Sequence, residues 1–62
     1  MNLELKAEIV RRYGSQANFS TALKLDESFV SRVVRGRRTL DPNEQEKWAR
    51  ALGKKTDELF QE

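Results

Sequence analysis

The amino-acid sequence predicts an all-α protein, a compact bundle of about five short helices. Apolar residues recur at helical spacing along most of the chain, and no segment has the pattern of a strand. Residues that begin and end helices, among them three glycines, divide this pattern into short segments. The 62 residues suffice for one domain, over 1–62, near the small end of what folds alone. The core must therefore be compact.

Two helices are predicted before residue 25. The first spans 3–13 and ends at Gly14, and the second spans 16 to about 24 with Ser15 as its cap. The apolar positions of these helices, which we expect to be buried, are Leu5, Ile9, Val10, Tyr13, Ala17, Phe19, Ala22 and Leu23. The charged positions of the first helix, which we expect to face outward, are Glu4, Lys6, Glu8, Arg11 and Arg12.

The third helix is predicted over 27–35 and is strongly amphipathic. Its apolar face consists of Phe29, Val30, Val33 and Val34, and its polar face consists of Glu27, Ser28, Ser31, Arg32 and Arg35. Asp26 stands where an N-cap belongs, Glu27 suits the positive end of the helix dipole, and Gly36 ends the helix. Only residues 24–26 separate this helix from the second, so the two must cross steeply.

The rest of the chain predicts a loop and two further helices. Leu40 is the apolar tether of the loop over 37–40. The fourth helix begins with Asp41 as N-cap, Pro42 at the first helical position and Glu44 placed to complete a capping box. Its inward positions are Trp48, Ala49 and Leu52 before the stop at Gly53, and a last short helix from about Thr56 contributes Leu59 and Phe60.

Composition argues against an enzyme. The chain contains neither cysteine nor histidine, which removes disulfides, thiolate metal sites, the commonest metal ligand and the commonest general base. Its serines therefore have no histidine to activate them, and no glycine-rich phosphate loop is present. We expect no catalytic residue, no cofactor and no metal. No apolar run approaches the roughly 18 residues of a membrane span, and no signal peptide opens the chain, so we expect an intracellular protein.

The net charge of +2 is small, but it is unevenly distributed. Residues 24–40 carry five cations and two anions, whereas residues 41–62 carry four cations and six anions. Such polarity suits a protein that presents one face to a polyanion. Ordinary solvated surface at arginine-rich helix ends is the alternative interpretation.

Residues 15–36, SQANFSTALKLDESFVSRVVRG, resemble the helix-turn-helix of the phage repressor and Cro family, which has the lambda-repressor-like fold. The resemblance needs no gap over these residues, and the segments 51–53 and 57–60 also look like the family's closing helices. The matching positions are Gln16 at the helix start, Phe19 and Leu23 in the core, Leu25 in the turn, Asp26 at the cap, Val30 and Val33 facing inward, Ser31 and Arg32 facing outward, and Gly36 at the stop.

The chain departs from the family pattern at a few positions. Ser20 replaces a close-packed alanine, and Lys24 replaces the turn glycine, where a left-handed conformation would cost roughly 1 kcal/mol. Ile9 and Val34 stand where many members pair an arginine with a glutamate. Because both are apolar, the exchange is coherent and predicts contact between the first and third helices. Residues 54–55 leave the last helix least well defined.

The resemblance implies that the helix over 27–35 enters the major groove of DNA. The positions that would read bases are Glu27, Ser28, Ser31 and Arg32. Arg32 can donate to guanine O6 and N7, and Glu27 can accept from cytosine N4. The positions that would contact phosphates are Ser15, Gln16, Arg35, Arg37 and Arg38. Arg35 suits the role of a solvated cation at the helix end equally well.

Two aromatic residues allow more than one interpretation. Phe29 lies beside Arg32 around the third helix, so it is either the edge of the core or a contact to a thymine methyl group. Trp48 could stack on single-stranded nucleic acid, but Leu52 four residues later and a family leucine at its position favour the core.

The resemblance predicts a sequence-specific transcriptional regulator of phage, prophage or mobile-element type, in the cytoplasm of a prokaryote or phage-infected host. Its expected partner is double-stranded DNA, with a palindromic operator bound by a weak homodimer that forms largely on DNA. No membrane partner is expected. Two alternatives stay open: the DNA-binding antitoxin of a toxin–antitoxin pair, and a protein-interaction module that kept the bundle and lost DNA binding.

Overall fold

A computed structural model describes residues 1–60, so the last two residues of the predicted domain, 61 and 62, lie outside the described residues. Five helices and no strand occupy the described part of the chain, which confirms the all-α bundle. The helices are α1 (Leu3–Tyr13), α2 (Gln16–Leu23), α3 (Glu27–Val34), α4 (Pro42–Leu52) and α5 (Thr56–Leu59). The predicted bounds are confirmed, except that α2 and α3 each end one residue earlier than expected.

Every helix and the loop before α4 contribute to one hydrophobic core. Its buried members are Leu5, Ile9, Phe19, Val30, Val33, Val34, Leu40, Trp48, Ala49, Leu52 and Leu59. The ring of Phe19 lies edge-on to Tyr13 and to Trp48, at centroid distances of 5.0 and 5.1 Å. Trp48 is 2% exposed, which confirms it as a core residue. Ile9 and Val34 are buried and α1 packs on α3, as the paired apolar exchange predicts.

The inward faces of α1 and α2 differ from the prediction at their margins. Val10, Ala17 and Ala22 are exposed although we expected them inside, and Glu8, expected outside, is 3% exposed. Around α1, Glu8 lies about 60° from the buried Leu5, whereas Val10 lies about 140° away. The face of α2 is centred on the buried Phe19 and Ser20, so both alanines fall beyond its edges.

Glu8 is the centre of an ion cluster that joins α1 to the connection between α4 and α5. Its carboxylate accepts a hydrogen bond from Arg11 and lies 3.7 Å from Arg12 Nε and 3.9 Å from Lys54 Nζ. Burial raises the pKa of the Glu8 carboxyl, but the hydrogen bond from Arg11 and the three nearby positive charges outweigh this effect. The pKa of Glu8 therefore lies below its ordinary value.

Three hydrogen bonds of Asn2 fix the start of α1 against two other helix ends. Its side-chain Oδ1 accepts from Leu5 N–H at 3.0 Å and so caps α1. Its Nδ2 donates to the carbonyl of Leu59 at 2.6 Å, and its backbone N–H donates to the carbonyl of Val34 at 2.7 Å. The ends of α3 and α5 are therefore both anchored at the N-terminus of α1.

The turn between α2 and α3 depends on a lysine in a conformation that favours glycine. Lys24 has a φ of +59°, the one positive value among non-glycine residues of the described chain. Its N–H donates to Thr21 O at 3.2 Å, and Leu25 N–H donates to Ser20 O at 2.8 Å. This is the hydrogen-bond pair of a Schellman motif, and the same pair ends α3 at Gly36 with a φ of +81°.

We expect Lys24→Gly to stabilise the protein, because glycine adopts positive φ without the steric penalty of a Cβ atom. The gain in the free energy of unfolding should be about 0.5–1 kcal/mol after the greater flexibility of glycine in the unfolded chain is included. Lys24→Ala is the matched control, since it removes the same side chain but keeps the Cβ atom. Urea unfolding followed by Trp48 fluorescence measures both, and equal effects would contradict a strained turn.

The buried Glu8 predicts a pH dependence of stability. Because its pKa is lower in the folded than in the unfolded chain, the ionised carboxylate stabilises the fold above the unfolded-state pKa of about 4.3. This stabilisation disappears as the pH falls through the folded-state pKa. We expect the free energy of unfolding of Glu8→Gln to fall less steeply than that of the wild type between about pH 5 and pH 3. Urea titrations across this range measure both slopes, and identical slopes would refute the assignment.

Candidate nucleic-acid interface

The two faces of α3 have opposite character. Val30, Val33 and Val34 are 0, 6 and 1% exposed and pack into the core. On the other side Glu27, Ser28, Arg32 and Arg35 are exposed, with Ser31 half-buried at the margin. The residues predicted to read bases therefore lie together on the outer side of one helix, with Ser31 the least accessible of them. None of these side chains forms a hydrogen bond or ion pair with residues 1–60, so their donors and acceptors are available to a ligand.

The arginines of α3 and of the following loop differ from the other arginines in their ion pairing. Arg11 and Arg12 pair with Glu8, and Arg50 pairs with Glu46 at 2.7 Å. No ion pair within residues 1–60 involves an arginine of the segment 32–38. The positive charge of this segment is therefore not neutralised by carboxylates of the described chain, and it can attract an anion.

The start of α3 differs from the prediction in one hydrogen bond. Asp26 occupies the N-cap position, but its side chain accepts no hydrogen bond from the helix. Asp41 at the start of α4 shows the expected geometry, with Glu44 N–H donating to its Oδ1 at 2.8 Å and Asp41 N–H donating to Glu44 Oε1 at 3.2 Å. The start of α3 therefore presents two exposed carboxylates, those of Asp26 and Glu27. Both interact favourably with the positive end of the helix dipole, but the Asp26 side chain accepts no capping hydrogen bond from a backbone N–H group of the helix.

The start of α2 is built as predicted. Ser15 Oγ accepts from Asn18 N–H at 3.0 Å, and Ser20 Oγ donates to Gln16 O at 2.6 Å. Both Ser15 and Gln16 are half-buried. Because the Ser15 oxygen serves as acceptor, its hydroxyl proton stays available to an external acceptor, and so does the side-chain amide of Gln16.

The loop after α3 contains a contact that the sequence analysis missed. The guanidinium carbon of Arg38 lies 5.0 Å from the centroid of the Phe29 ring, over its face. Phe29 is half-buried and lies edge-on to Trp48 at a centroid distance of 6.2 Å. This packing confirms Phe29 as the edge of the core. Arg35 caps the helix end, and Arg37 and Arg38 are exposed beyond it.

No group of three or more acidic, histidine or cysteine side chains within residues 1–60 is arranged to hold a metal ion. No helix in this part of the chain has the length and apolar character needed to cross a membrane. The surface around α3 is therefore the feature of the described chain that most clearly combines accessible polar groups with uncompensated charge.

The absent side-chain cap of α3 predicts a difference between two aspartates. We expect Asp26→Ala to lower the free energy of unfolding by at most about 0.5 kcal/mol, because only the interaction with the helix dipole is lost. Asp41→Ala, the matched variant, should cost about 1 kcal/mol because it removes a capping box. Urea unfolding at neutral pH measures both, and equal losses would show that Asp26 caps α3 in solution.

Comparison of the chain with protein-family models, with curated proteins and with solved structures finds no match.

Proposed function

We propose that this protein is a sequence-specific regulator of transcription that binds double-stranded DNA, with α3 as a recognition helix in the major groove. The observation that carries the proposal is the outer face of α3, which presents Glu27, Ser28 and Arg32 to solvent while three valines hold the helix to the core. The helix-turn-helix resemblance of residues 15–36 supports the same role. It also favours a regulator of phage, prophage or mobile-element type.

In this proposal two kinds of contact have different functions. Arg32 donates two hydrogen bonds to a guanine, and Glu27 accepts one from a cytosine, so that these residues determine sequence preference. Ser28 and Ser31 contribute lesser base contacts. The phosphate contacts come from Ser15, Gln16, Arg35, Arg37 and Arg38, and they fix the position of the protein on the duplex.

One recognition helix contacts only a few base pairs, so useful specificity requires two copies of the protein. A homodimer on a two-fold symmetric operator would place its half-sites about one helical turn apart. We expect this homodimer to be weak and to form largely on DNA. A DNA-binding antitoxin would use the same surface, and a toxin gene next to its own gene would distinguish that role.

A protein-interaction module is the second candidate function. The exposed carboxylates of Asp26 and Glu27 favour it, because they lie at the start of α3 and repel the phosphate backbone. Such a module would show little affinity for duplex DNA even at low salt.

Selection from a pool of random duplexes of about 30 base pairs, at about 100 mM salt, tests the proposal. We expect the wild type to enrich a two-fold symmetric sequence with a guanine in each half-site. Arg32→Ala should retain DNA but lose the preference at that guanine, a discrimination of about 1–3 kcal/mol. Sequencing of the retained pools measures both effects.

The matched control is Arg37→Ala, which should weaken all sequences alike and reduce the salt dependence without changing the enriched sequence. If Arg32→Ala and Arg37→Ala behaved identically, the assigned roles would be wrong. If the wild type retained no duplex at low salt, the interaction module would replace the proposal.

A further inference from the structure

We infer that Phe29 is a positioning residue for DNA binding, which holds the guanidinium of Arg38 in place for a phosphate beside α3. The inference rests on the proposed function and goes beyond it by separating Arg38 from its neighbour Arg37. Its basis is the stacking of Arg38 on Phe29, with the guanidinium carbon 5.0 Å from the ring centroid.

The ring holds Arg38 without neutralising it. An ion pair also fixes a guanidinium, as in Arg50 with Glu46, but the carboxylate cancels the charge that would attract phosphate. A phenylalanine ring attracts the cation through its quadrupole and adds no negative charge. The ring contacts the guanidinium from one side and accepts none of its N–H groups as a carboxylate would, so a phosphate on the other side can accept two of them. Arg38 therefore keeps both its charge and its donors.

The ring that contacts Arg38 is itself packed against the core. Phe29 belongs to α3 and lies edge-on to the buried Trp48, with the two ring centroids 6.2 Å apart. Phe29 also lies one turn before Arg32 on the same helix, so the ring links the proposed base contact to a backbone contact. A side chain that is already ordered loses less conformational entropy on binding, and this is why a held arginine binds more tightly than a mobile one.

Arg37 provides the internal comparison. It is the adjacent arginine in the same loop and is also exposed, but no aromatic ring within residues 1–60 lies under it. The inference therefore predicts unequal contributions from two neighbouring residues of the same type.

The first experiment needs no DNA. Ring currents should shift the side-chain NMR resonances of Arg38 upfield in the wild type, and Phe29→Leu should return them to the positions of Arg37. Phe29→Tyr, which keeps a ring, should preserve the shift. Resonances of Arg38 at random-coil positions in the wild type would overturn the inference. Trp48 is the only tryptophan, so its fluorescence reports whether each variant is folded.

The second experiment measures affinity for a labelled duplex of about 30 base pairs and arbitrary sequence at about 50 mM salt. We expect Phe29→Leu to weaken binding about two- to fivefold, the size of an exposed cation–π contact, and Phe29→Tyr to restore it. In an Arg38→Ala background Phe29→Leu should have no further effect. Arg38→Lys should weaken binding more than Arg37→Lys, because both variants lose a guanidinium that contacts phosphate but only Arg38→Lys also loses the contact of a guanidinium with the ring.

The possible outcomes separate the inference from the proposed function. If the double variant loses affinity by the product of the losses from Phe29→Leu and Arg38→Ala, the two residues act independently, and Phe29 does not position Arg38. The same conclusion follows if Arg38→Lys and Arg37→Lys weaken DNA binding equally. If the wild type fails to bind the duplex, the proposed function is wrong, and so is the role of Arg38 as a phosphate contact.

Discussion

Burial of the three valines of α3 fixes the rotation of this helix about its axis. It therefore determines which side chains of the helix lie on its outer face. Each fully buried valine contributes about 1.5–3 kcal/mol relative to an exposed one. A roll of the helix that exposed them would cost a large part of the stability of a domain this small. The polar face of α3 is therefore a consequence of the core. Arg32 faces outward because Val30 and Val33 face inward.

The charges of the protein follow a second constraint, which is the distribution of carboxylates. Around α1 and α4 the arginines form ion pairs with acidic side chains, and Arg11, Arg12 and Lys54 surround the buried Glu8. Around α3 and its following loop, no arginine forms an ion pair with a carboxylate of residues 1–60. Residues 24–40 thereby carry an excess of three positive charges in a protein with a net charge of only +2. The local imbalance, and not the total charge, is what suits a polyanionic partner.

Local patterns were enough to predict the helix bounds, the valine face of α3 and most residues of its outer surface, because each depends on neighbours in the sequence. The exceptions depend on side-chain conformation and on how the chain folds back on itself. The buried Glu8 is compensated by Arg11 and Arg12 on its own helix and also by Lys54, which comes close to it from the connection between α4 and α5. Stacking of Arg38 on Phe29 depends on how the chain turns after α3, and Asp26 misses its cap although the residue type suits the position. Helical periodicity places Glu8 near the buried Leu5, but it contains no information about the other two.

The three hydrogen bonds of Asn2 have a consequence for how the protein opens. The last carbonyl of α3 and the last carbonyl of α5 both accept from this one residue, whose oxygen also caps α1. Fraying at the end of α3 therefore breaks the hydrogen bond from the backbone N–H of Asn2, and fraying at the end of α5 breaks the one from its side-chain amide. Helix ends that would otherwise open independently become one cooperative unit. We therefore expect amide hydrogens near the end of α3 to be protected from exchange together with those near the start of α1.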